Sequence, residues 1–150
     1  LLVNSQGGVN PKVVLGIMGM RSALAPEIAA DAARLGGAAL ADKLDHALGV
    51  MEGSLHDLGA LQVGALHFWQ ILAMACDNIA YQLAFNTMRR SYHEAWDKLT
   101  YVMAREFQDV ANLRAIAKAV RQGDTEAARL AARAHVDLGR KALESVFALM

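Results

Sequence analysis

Apolar residues return every three to four positions along this chain, and strict apolar–polar alternation is nearly absent. That period belongs to helices with one buried face, so the pattern predicts an all-α protein. Asn10-Pro11 reads as a capping residue followed by a proline in the first turn. The helix that starts there runs to Leu35, with an adjustment at Pro26, and Gly36-Gly37 ends it. A second helix spans Ala38 to Met51, with Leu40, Leu44, Ala47, Leu48 and Met51 on one face. "EGSLHDLGA" reads as a loop. A third helix, Ala60 to Cys76, contains "LHFWQILAMACDN" (66–78), which is apolar almost all the way round. A long helix follows from Ile79 to Val102. Another begins at Ala104 or at Asn112 and ends at Arg121. "QGDTE" is a turn in which Asp124 caps a last helix from Thr125 to the end. Six or seven helices joined by short loops give an antiparallel bundle.

Length and charge narrow the function classes. The chain has 150 residues, enough for one compact domain, and its 15 basic and 15 acidic residues give no net charge. It shows no basic face of the kind a free-standing nucleic-acid binder carries. No apolar run approaches the ~20 residues of a membrane span. The single cysteine, Cys76, excludes a disulfide framework and suits a reducing, cytoplasmic setting. The opening "LLVNSQGGVNPK" lacks the features of a signal peptide, and residues 1–10 read as the remnant of a linker.

Phosphate loops, paired cysteines, zinc-protease motifs and nucleophile elbows are absent from the sequence. Asp42 and His46 share metal-ligand spacing but lie opposite the apolar face of their helix, so they read as a solvated pair. His93 and Asp97, with Asn86 and Arg90, read as a wet or interface stripe. Leu61, Ala65, Trp69, Leu72 and Cys76 share one side of the third helix, and His67 lies away from it. Cys76 lacks a histidine evidently poised to activate it. Tyr81, Phe85, Met88, Tyr92 and Trp96 form an aromatic stripe that suits either a core or a pocket wall. On the last helix Arg129, Arg133 and Arg140 point one way, while Ala128, Ala131, His135, Leu138 and Ala142 point the other, which turns His135 inward. Arg21 lies among Leu15, Met18, Leu24 and Ile28, where a guanidinium needs an anion, either an internal carboxylate or a ligand's.

"MRSALAPEIAADAARLGGAALADKL", "ILAMACDNIAYQLAFNTMRRSY" and "LRAIAKAVRQGDTEAARLAARAHVDL" together resemble the FCD domain, the effector-binding C-terminal domain of GntR-family transcription regulators. Within that family the chain is most similar to the FadR-like branch. The likeness spans Pro11 to Phe147, so residues 11–150 are read as the ligand-sensing domain. The resemblance implies a dimerising bacterial regulatory domain and no catalysis. Operator DNA would be met only through a winged-helix domain that precedes this one.

The family's metal site uses an Asp and three His. Carried over, those positions fall on Ala65, Trp69, Leu113 and His135, and only the last keeps a ligand. Zinc wants about four donors. The resemblance therefore implies a pocket without metal or other cofactor, lined by Arg21, Ala65, Trp69, Phe85, Met88, Tyr92, Leu113 and His135. An apolar or acyl-type effector is the expected ligand, with acyl-CoA or a fatty acid first. Arg21 would hold the ligand's anionic end. The alternatives are a sensor of a small carboxylic acid, or an all-α enzyme using His135 and Arg21.

Overall fold

A computed structural model describes residues 10–94 and 96–149, leaving out the side chains of Glu94 and Trp96. Residues 1–9, which hold most of the expected linker, lie outside the described residues. Eight helices form among them and no strand: α1 Pro11–Leu35, α2 Ala38–Glu52, α3 Leu58–Ala75, α4 Ile79–Glu94, α5 Trp96–Thr100, α6 Ala104–Phe107, α7 Val110–Gln122 and α8 Thr125–Ala148.

Local chemistry sets most of these boundaries. The side chain of Asn10 accepts from the Lys12 and Val13 amides, and Pro11 occupies the first turn, where its missing N–H costs nothing. Asp57, Asp109 and Asp124 cap α3, α7 and α8 by accepting from the amides of Ala60, Asn112 and Ala127. Gly123 closes α7 in the left-handed conformation (φ 67°). The Asp124 amide then reaches back to the Ala119 carbonyl at 2.9 Å, the backbone bond of a Schellman turn. Pro26 lies inside α1 without ending it.

The expected six or seven helices become eight. The long helix expected over 79–102 covers α4 and α5, with residue 95 between them outside the described residues. The two alternative starts at Ala104 and Asn112 correspond to separate elements, the single turn of α6 and then α7. Between Leu99 and Val110 several backbone bonds shorten from four residues to three, as in Ala104 to Tyr101, Glu106 to Met103 and Asp109 to Glu106. These tight turns fold the segment inward. Apolar spacing could not reveal the break, because Leu99, Met103, Phe107 and Val110 keep the helical interval across it. The loop after α2 is also shorter than expected, since Asp57 starts α3 at Leu58.

The core joins α1, α2, α3, α7 and α8, with Met18, Ile28, Leu44, Leu48, Leu61, Phe68, Leu72, Leu113 and Ile116 fully buried. α1 packs mainly on α8, and α7 bridges α8 to α2. By length and hydropathy alone α1 and α3 reach the range of a membrane span, which corrects the reading of the apolar runs. Both are explained as core helices: α1 lies against α8, α7, α3 and α4, and it carries the buried Arg21.

Candidate functional site

One cavity of about 60 Å³ lies between α1, α3, α4 and the 99–107 segment. Each wall is a helical face. α1 contributes Arg21, Ala25 and Ile28; α3 contributes Gln62, Ala65 and Trp69; α4 contributes Phe85, Met88, Tyr92 and a second cation, Arg89; the turn segment adds Met103, Glu106 and Phe107. Spacings of three and four bring the members of each set onto one side of their helix. Most of the lining is apolar, so the polar groups are few and close at hand.

The chief polar feature is a buried ion pair. Arg21 Nη2 donates to Glu106 Oε2, and the two side chains are 10% and 2% exposed. Arg21 Nη1 meets only the Met18 thioether, at 3.7 Å. Burial by itself would lower the Arg21 pKa, but Glu106 and the Tyr92 oxygen outweigh it and hold the guanidinium firmly protonated. Burial pushes the Tyr92 phenol up to about 12, with Arg21 and Glu106 pulling in opposite directions. Three atoms on these cavity residues are buried without a protein partner: Trp69 Nε1, Tyr92 Oη and Glu106 Oε1. Gln62, also buried, accepts from the Thr100 hydroxyl at 2.8 Å. α8 closes in behind Glu106 through Gly139, where a Cβ would come within 2.6 Å of Glu106 Oε1.

Of the residues expected at the site, Arg21, Ala65, Trp69, Phe85, Met88 and Tyr92 line this cavity. Leu113 and His135 do not. Leu113 is fully buried in the main core. His135 is fully buried too, and its Nδ1 lies 3.1 Å from Asp109 Oδ2. Trp69 touches it from the cavity side, ring centroids 6.2 Å apart, while His135 Nε2 has no partner. Asp109 therefore both caps α7 and holds the imidazole. Burial tends to raise its pKa, but hydrogen bonds from His135 and Asn112 prevail and hold its carboxyl below the ordinary value.

The remaining candidates fall away from the cavity. His67 and His46 are exposed, and Asp42 pairs with Arg121 across α2 and α7 instead of with His46. His93 and Asp97 are exposed. Tyr81 packs partly against the core, and the side chain of Trp96 lies outside the described residues. The Cys76 thiol donates to the carbonyls of Ile28 and Leu72, and burial pushes its pKa up to about 11, so it is no nucleophile. Among the described residues no three His, Cys, Asp or Glu side chains gather as a metal would require.

Glu106, Gln62 and Asp109 were missed in the sequence. Glu106 left a signal: Met103, Glu106, Phe107 and Val110 share a three-and-four spacing, which places a carboxylate on an apolar face. Such a group calls for a cationic partner as surely as Arg21 calls for an anion.

A family model of the FCD domain matches residues 17–138. The chain belongs to the FCD domain family. No curated protein and no solved structure matches it. An FCD domain is the effector-binding, C-terminal regulatory part of a GntR-type transcription regulator. In this FCD domain the cavity opens beside Trp69 and Ala65, on the helix that the resemblance singles out. The pair named for an enzymatic reading is not assembled: Arg21 is tied to Glu106, and His135 faces Asp109 outside the cavity wall.

Proposed function

We propose that this domain senses a small effector in the α1–α3–α4 cavity without a metal, as a dimer, and passes the change to a preceding winged-helix domain in a cytoplasmic bacterial regulator. The observation that carries the reading is a cavity with largely apolar walls and a few polar side chains among them. Such a lining orients one end of a ligand and desolvates the other. The position of Ala65 and Trp69, in place of carboxylate and imidazole, supports metal-free recognition. An acyl-type effector fits the apolar lining. A cavity of about 60 Å³ corresponds to roughly four to six waters' worth of space. That favours a short acyl group; a long chain such as that of a fatty acyl-CoA would need Phe85, Met88 or Phe107 to swing aside.

Native mass spectrometry of the purified chain should find a retained small molecule. Titration with straight-chain acyl compounds of two to twelve carbons should then show affinity rising roughly four-fold per methylene until the cavity is full, and falling beyond it. Affinity that climbs through the whole series would mean the pocket opens into a long-chain tunnel. Failure to bind any member would remove the acyl reading.

A further inference from the structure

Two cations and one anion line the cavity: Arg21, Arg89 and Glu106. Arg21 has its counter-ion in Glu106, and both are buried. Arg89 is half-buried on α4, and its guanidinium pairs with no other side chain among the described residues. The Tyr92 phenol stays protonated at neutral pH and adds no charge. One positive charge is left over. Resting on the effector-cavity reading above, we propose that the effector is a small amphiphile with one negative charge, held by Arg89 at the α4 wall while its apolar end enters the cavity.

A ligand that enters beside Arg89 strips water from the guanidinium. A neutral ligand leaves that lost hydration uncompensated, and a cationic one adds a like charge. An anion replaces the water, and the guanidinium fork takes carboxylate or phosphate oxygens in pairs. Arg21 is the poorer anchor. Its Nη1 has only the Met18 thioether, at 3.7 Å, but an anion there would share one guanidinium with Glu106 in a buried space. Arg89 keeps contact with water, so pairing it costs less desolvation. The ligand's orientation follows: charge at the half-exposed α4 wall, hydrocarbon against Ala25, Ile28, Ala65, Phe85 and Met88.

Calorimetric titration of the chain at neutral pH with butanoate, butanamide and butylammonium tests this, because the three share an apolar end. Butanoate should bind about ten-fold tighter than butanamide, the lower range for a hydrogen bond to a charged group. Butylammonium should bind weakest. Arg89→Gln should erase the ratio between butanoate and butanamide. Its melting temperature should stay near the parent's, which separates a lost anchor from a lost fold. Arg89→Lys keeps the charge without the fork and should retain part of the ratio. Arg90→Gln removes the same charge from an exposed α4 position outside the cavity lining, and should leave the ratio as it is. Raising salt from about 0.05 to about 0.5 M should shrink the ratio several-fold, since a half-exposed pair is screened. Butanamide binding as tightly as butanoate in the parent overturns the inference and leaves the cavity reading standing. So does a preference for butanoate that survives Arg89→Gln or ignores salt. A chain that binds none of the three overturns both.

Discussion

At the scale of single residues, the buried pair Arg21–Glu106 bears on stability. Removing one partner strands the other charge in a nearly dry cavity. Glu106→Ala should therefore lower unfolding free energy by about 3–5 kcal/mol, measured by urea denaturation. The double variant Arg21→Met, Glu106→Leu should recover most of that loss, because replacing both ions removes the desolvation cost together with the attraction. A double variant as unstable as Glu106→Ala would show that the pair holds the fold by more than charge. Cys76 gives a second expectation. With its thiol at about 11 and hydrogen-bonded to two carbonyls, it should resist iodoacetamide at pH 8 in the native chain and react readily in urea. Both residues drew notice in the sequence for opposite reasons. A lone arginine on an apolar face announced a missing anion, whereas nothing about the order of residues said that the anion stands 85 positions away.

At the scale of elements, caps decide where helices start, and one cap is coupled to the interior. Asp124 is exposed and serves only α8. Asp109 caps α7 and also holds the buried His135. Asp124→Ala should then cost about 1 kcal/mol, the usual value of an N-cap. Asp109→Ala should cost about 2–4 kcal/mol, since it loses the cap and leaves an imidazole nitrogen unpaired. Equal losses would mean that His135 finds another partner. Asp109 also predicts a pH dependence. Its carboxyl is held below the ordinary 3.8 in the folded chain. Its contribution is thus complete above that value and lost as pH falls through the lower folded pKa. Acid titration of the parent should show extra destabilisation below about pH 4 that Asp109→Asn lacks. The helix boundaries at Leu35, Gly123 and Thr125 were legible because capping and glycine termination are local events. An end at Val102 and a new start at Ala104 or Asn112 were read, but the single turn of α6 as an element apart from α7 was not, because the apolar interval continues through turns whose hydrogen bonds change from four residues to three.

At the scale of the whole molecule, the proposed metal-free reading makes a prediction about metal content. The residues that the resemblance sets at ligand positions, Ala65, Trp69 and Leu113, offer no metal donor, so the purified chain is expected to carry well under one equivalent of zinc, nickel or manganese. Elemental analysis after extensive dialysis measures it, and a stoichiometric metal would overturn it.

The sequence by itself determined the helical class, most helix ends and which face of each helix is apolar. Those properties depend on residues within one or two turns of each other, through backbone bonding and side-chain caps. Only the tertiary structure decided that Arg21 is answered by Glu106, that Trp69 lies between the cavity and His135, and that Leu113 and His135 stand outside the cavity wall. Those facts depend on how α1, α3, α6 and α8 approach one another. That approach is set by the packing of side chains distant in the chain, where a glycine at 139 leaves room for a carboxylate at 106.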